Sequence, residues 1–141
     1  MLHPSPARFL MIVSLGFLLA CGSKQASRED VRSDLTKSIS MASEAEAFIG
    51  YVSQGRSTYD FASGHLRYLS DEVKQSTEEV SNRNAPPDFL KTLNLARLQL
   101  NLLSAQLENA SHHLQQPDVL AASERQIRAI RMTLVQANSS L

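Results

Sequence analysis

From Val31 onward, apolar residues return every three or four positions. Val31, Leu35, Ala42, Ala45, Ile49 and Val52 form the first run, with Ser38 in the missing step and Ile39 and Phe48 beside it. Spacings of three, four and seven put these residues on one face of an α-helix. Ser27-Arg28-Glu29-Asp30 suits its start, with Ser27 as N-cap and acids in the first turn. The pattern predicts a helix over residues 28–53. Gln54-Gly55-Arg56-Ser57 then breaks it, and Ser57 can cap a second helix over 58–82. Its apolar stripe is Ala62, Leu66, Leu69, Val73, Ser76 and Val80, and Asp71, Glu72, Lys74, Glu78 and Glu79 take the opposite face. Pro86 and Pro87 stop that helix, because a proline disfavours helix in the residue before it. Proline is also welcome in a first helical turn, so the same pair opens the third helix.

The third helix, expected over 87–115, has the strongest pattern. Phe89, Leu93, Ala96, Leu100, Leu103, Leu107, Ala110 and Leu114 keep the four-three spacing throughout. Leu95, Leu98, Leu102 and Ala105 add a second stripe, and so wide an apolar face calls for neighbours on more than one side. Gln115-Gln116-Pro117 ends the helix, and Asp118 is placed to cap a fourth over 118–138. Leu120, Ser123, Ile127, Ile130, Leu134, Ala137 and Leu141 carry its stripe. Four amphipathic helices joined by short turns predict an all-α, up-down-up-down four-helix bundle over residues 27–141. One rival satisfies the spacing. Val31, Ser38, Ala45, Val52, Tyr59, Leu66, Val73 and Val80 lie seven apart, so the first two helices can also be read as one rod through Gly55. The last two helices cannot cover such a rod, which then needs a second chain.

The first twenty residues follow a different logic. Arg8 is their only charge, and Phe9–Leu19 is an apolar run interrupted by Ser14 and Gly16. That run is shorter than the roughly 20 residues that span a bilayer and fits the central part of a secretory signal. Leu18-Leu19-Ala20-Cys21 at its end resembles the lipobox of bacterial lipoproteins. The resemblance implies that residues 1–20 are a signal peptide cut between Ala20 and Cys21. It also implies that Cys21 carries a diacylglyceryl group and an acylated amino terminus, and that residues 21–26 tether the domain to the membrane. Gly22, where inner-membrane retention uses an aspartate, implies the outer rather than the inner membrane if the host is Gram-negative. Cys21 is also the only cysteine, so an intramolecular disulfide is excluded.

Composition narrows the remaining chemistry. Beyond Cys21 the chain carries 13 basic and 14 acidic side chains, with no dense basic run. Nothing there favours nucleic acid. Glycine-rich phosphate loops and strand-turn-helix nucleophile motifs are absent, and no cysteine is left for catalysis or metal binding. His112 and His113 are neighbours, so on a helix they point about 100° apart and cannot chelate as an i, i+4 pair. Haem attachment motifs and Glu-x-x-His pairs are missing as well. The expectation is a protein that is no enzyme and holds no cofactor. It would act as an envelope interaction or scaffold protein with a protein partner. In size and architecture it resembles pilotins, small helical lipoproteins that escort secretin subunits to the outer membrane. The alternative is a carrier of a small ligand or cofactor with its site between the helices. Candidate partner-binding residues are Tyr51, Tyr59, His112 and His113, expected together at the end away from the tether. A second set is Arg125, Arg128 and Arg131, three apart on the last helix, with Glu124 four before Arg128.

Overall fold

The computed structural model describes residues 24–141, which form α1 (Arg28–Ser53), α2 (Tyr59–Ser81), α3 (Pro87–His112) and α4 (Pro117–Ser139). The helices make an up-down-up-down bundle around one apolar core. The expected signal peptide, Ala20 and Cys21 lie outside the described residues.

The local chemistry of each helix end explains its boundary. At the start of α1, the Asp30 N–H donates to Ser27 Oγ at 3.2 Å and the Ser27 N–H donates to the Asp30 carboxylate at 2.7 Å. This reciprocal pair is a capping box. Hydrogen bonding from the Ser27 backbone N–H, and then its hydroxyl, holds the Asp30 carboxyl below its ordinary value. The preceding residue is fixed too. Ala26 is buried and its N–H donates to the Asn84 carbonyl at 2.7 Å, tying the entry of α1 to the α2–α3 turn.

Gly55 ends α1 with φ +70°, a left-handed conformation that glycine adopts without strain. The chain reverses there, so the continuous rod through Gly55 does not form. Ser57 does not cap α2. The Ala62 N–H closes the first turn on the Thr58 carbonyl at 3.0 Å, which makes Thr58 the N-cap, and Ser57 Oγ donates to that carbonyl at 3.2 Å. The third helix stops at His112, three residues before the sequence pattern ends. The His113 N–H turns back to the Ala110 carbonyl at 3.1 Å, and the Gln116 N–H closes the turn on the His113 carbonyl at 2.9 Å. Asp118 likewise does not cap α4. Gln116 is the N-cap and Pro117 takes the first helical position, where its missing N–H costs nothing. Asp118 lies inside that first turn.

The core holds the predicted stripes. Leu35, Ile49, Leu66, Leu100, Leu103, Leu107, Ile127 and Leu134 are buried, and Ser38, Ser76 and Ser123 are buried in the same stripes. Two of these serines have clear partners: Ser38 Oγ donates to the Asp34 carbonyl at 2.8 Å, and Ser123 Oγ accepts from Asn109 Nδ2 at 3.1 Å. α1 packs broadly on α4, and α2 on α3. α1 also touches α3 across the core, whereas α2 and α4 do not meet. The cross-section is therefore a rhombus, and α1–α2 is its narrowest contact. The second stripe of α3 is not covered by neighbours, since Leu98, Leu102 and Ala105 face solvent.

Candidate functional site: an aromatic seam between α1 and α2

The α1–α2 seam is narrow because the side chains that meet there are polar or aromatic rather than aliphatic. Its half nearer the start of α1 is held by charge. Arg83 Nε and Nη2 each donate to one Asp34 carboxylate oxygen at 2.7 Å, and Lys37 Nζ donates to Glu79 at 2.7 Å. Hydrogen bonding to Asp34 raises Arg83 further above its ordinary value, and the Lys37 ammonium holds the Glu79 carboxyl below its own.

Toward the Gly55 turn the same seam becomes aromatic. Phe48 of α1 sits at its centre. Its ring centroid lies 4.3 Å from His65, 6.0 Å from Phe61 and 6.5 Å from Tyr51. His65 is nearly parallel to Phe61, at 5.9 Å and 5°, and stacks on Tyr68 at 5.9 Å. Edge-to-face and offset geometries of this kind add to the packing energy. The Arg56 guanidinium caps the ribbon, 5.0 Å above the Tyr51 ring. Helical spacing places the α2 members, because Phe61, His65 and Tyr68 are four and three residues apart.

These rings fill no interior. Phe61 is 59% exposed, Tyr68 55% and Tyr51 38%, so one apolar surface runs across the seam. Its border carries Glu44, 3.4 Å from His65 Nε2, and Glu72, four residues after Tyr68, with Arg56 at the Tyr51 end. Arg67, next to Tyr68 in sequence, lines the separate groove between α2 and α3. Gly64 lies between the α2 aromatics. A Cβ added there meets no atom within 4 Å, so nothing inside the bundle requires this glycine.

The sequence-predicted residues divide among three places. Tyr51 joins the aromatic seam and also borders a surface groove of about 500 Å³ with Glu46, Gly50, Glu124 and Arg131. Tyr59 and His112 come together as expected, on the α2–α3 groove of about 390 Å³ that also carries Asp71 and Lys74. His113 caps α3, its Nδ1 2.7 Å from the Asn109 carbonyl. Arg128 and Arg131 are held against α1. Their Nε atoms donate to the two oxygens of Glu46 at 2.6 and 2.7 Å, and Arg128 also donates to Glu124 at 2.9 Å. Burial pushes the Glu46 carboxyl up, but the Arg131 and Arg128 hydrogen bonds outweigh it and hold the group below its ordinary value. Arg125 is exposed and makes no ion pair among the described residues.

Phe48, Phe61, His65 and Tyr68 were not singled out by the sequence pattern as a group. Phe48 reads as a flank of the α1 stripe, and Phe61 and Tyr68 fall outside the α2 stripe. Two off-stripe aromatics three and four residues from one histidine are the signal that marks them. Among the described residues, no group of three His, Cys, Asp or Glu is placed to hold a metal ion. No described helix is long and apolar enough to cross a membrane. Set against protein-family models, characterised proteins and solved structures, the chain matches none of them.

Proposed function

We propose that this chain is a lipid-anchored, non-enzymatic docking protein of the bacterial envelope. Cys21 holds it in the membrane, and the α1–α2 seam receives a basic segment of another envelope protein. The observation that carries the reading is the aromatic ribbon. Phe61 and Tyr68 are more than half exposed, as are Tyr59, Leu98 and Met132, but among these Phe61 and Tyr68 belong to one cluster of stacked rings that joins two helices. Contiguous exposed apolar surface of this kind marks interaction sites, and aromatic side chains dominate binding energy where they are desolvated. Glu44, against His65, and Glu72, one turn beyond Tyr68, select the sign of the partner. Arg56 above Tyr51 is an internal example of a cation against one of these rings. A lysine- or arginine-bearing segment with an aliphatic anchor satisfies both the rings and the border. A carrier site between the helices has less support, because leucine, isoleucine and valine fill the space there.

The test is photo-crosslinking in cells with a reactive residue in place of Tyr68 in the full chain. The expected capture maps to a basic segment of one envelope protein. It is lost in the Phe61→Ser background and weakened about tenfold or more by Glu44→Lys with Glu72→Lys, since like charges then face the partner. Capture that ignores all three substitutions refutes the proposal. Separately, Cys21→Ser is expected to release the protein from the membrane fraction, and retention there refutes the anchor.

A further inference from the structure

The second stripe of α3 is the part of the sequence pattern that the bundle leaves unused. Leu98 is 54% exposed and Leu102 44% exposed, Ala105 faces solvent, and Leu95 is half-buried at their side. The same four-three spacing continues to Lys91 and Asp88 in one direction, and to Asn109 and His112 in the other. α3 therefore carries two heptad seams. The other three helices fill one, and the second faces solvent from Leu98 to Ala105, with no charged residue between Arg97 and Glu108; at its end Asn109 donates to Ser123 of α4 and His112 borders the α2–α3 groove. A solvent-facing heptad seam fits another helix with the same repeat.

The best complement to this seam is the seam itself, reversed. Its positions 88, 91, 95, 98, 102, 105, 109 and 112 are symmetric about residue 100. Turning a second copy antiparallel brings Leu98 opposite Leu102 and Leu95 opposite Ala105. Lys91 then meets Asn109 beside Glu108, and Asp88 meets His112. Each layer pairs the two kinds of heptad position, as antiparallel helix packing requires, and Lys91 of each copy lies beside Glu108 of the other. A parallel pair sets Lys91 on Lys91 and Asp88 on Asp88, and like charges oppose it.

We infer that two copies of this chain associate through the outer face of α3 as an antiparallel pair related by a two-fold axis. Such an interface is isologous, so each favourable contact occurs twice and the assembly closes at two chains. α1 lies across the core from this face, which keeps the aromatic seam clear of the pair. The two α1 N-termini emerge at opposite ends, so two chains anchored in one membrane lie with their helix axes along its plane. The inference does not depend on what binds the aromatic seam.

Sedimentation equilibrium of the full chain in a nonionic detergent tests it. The wild type is expected to sediment as two chains. Leu98→Glu is expected to sediment as one chain at the same concentration with its thermal melt unchanged, because the new charge is buried only in the pair. Lys91→Glu is expected to weaken association by about tenfold, through a surface pair counted twice. Adding Glu108→Lys is expected to recover it. A monomeric wild type overturns the inference, as does a Leu98→Glu protein that still pairs. Failure of Glu108→Lys to rescue Lys91→Glu overturns the antiparallel register.

Discussion

The Asp34–Arg83 pair offers the sharpest test of how the bundle is held, because its two members differ in burial. The Asp34 side chain is 8% exposed and the Arg83 side chain 39%, and two hydrogen bonds of 2.7 Å join them. Hydrogen bonds to charged groups contribute about 1.5–3 kcal/mol net. Asp34→Ala frees an arginine that can turn into water, so the loss stays near the low end, about 1.5–2 kcal/mol. Arg83→Ala instead leaves a carboxylate inside the seam without its main partner. Stranding a buried charge costs about 3–5 kcal/mol, and Asp34 lies close enough to the surface for the lower figure, about 3 kcal/mol. Against a total of about 5–15 kcal/mol, both changes are measurable. Urea denaturation followed by far-UV circular dichroism at neutral pH reads them directly. The expected order is Arg83→Ala less stable than Asp34→Ala, with Asp34→Asn between Asp34→Ala and wild type. An Arg83→Ala cost below about 0.5 kcal/mol, typical of an exposed pair, refutes the reasoning. So does the reverse order of the two alanine variants.

Three further outcomes are expected. Gly64→Ala should stabilise the bundle by about 0.5–1 kcal/mol in the same urea assay, since an interior helical glycine with open space above it only adds unfolded-state entropy. Leu103→Asp should abolish cooperative unfolding and the native helical spectrum, because it places an unpaired charge at a fully buried position; a retained melting transition contradicts the core described here. Glu46 is held below its ordinary 4.5 by Arg131 and Arg128, so its contribution is fully present above that value and disappears as pH falls through the lower folded value. Glu46→Gln should therefore flatten part of the acid limb of a stability-versus-pH curve while lowering the neutral plateau, and an unchanged acid limb contradicts that account.

How much of this was legible in the chain follows from what periodicity encodes. The buried stripes Val31–Val52, Ala62–Val80, Leu93–Ala110 and Leu120–Leu134 are set by spacing, and spacing is visible in a single sequence. Ser38, Ser76 and Ser123 read correctly as core positions because the pattern continues through them. Caps were harder. Ser57 and Asp118 have suitable side chains, but Thr58 and Pro117 take the deciding backbone positions, and which residue closes the first turn depends on the loop before it. The aromatic seam was hidden for another reason. It joins off-stripe residues of two helices, and their meeting depends on α1 and α2 reversing at Gly55. The expected cluster of Tyr51, Tyr59, His112 and His113 divides, because Tyr59 and His112 line the α2–α3 groove, Tyr51 joins the seam on the other side of α2, and His113 turns back to the Asn109 carbonyl. The arginine triplet reads as one basic face, yet Glu46 on α1 takes up two of its members. No pattern within α4 announces a partner on another helix.

The central claim is that the aromatic seam docks a basic partner segment. Crosslinking from Tyr68 and from Glu78 on the same helix, in otherwise identical full chains in cells, tests it most directly. Tyr68 belongs to the seam and Glu78 to the exposed acidic side of α2. The account predicts capture of one protein, through a basic segment, from Tyr68 alone, and its loss in Phe61→Ser. Equal capture from both positions, or capture from Tyr68 that survives Phe61→Ser, contradicts it.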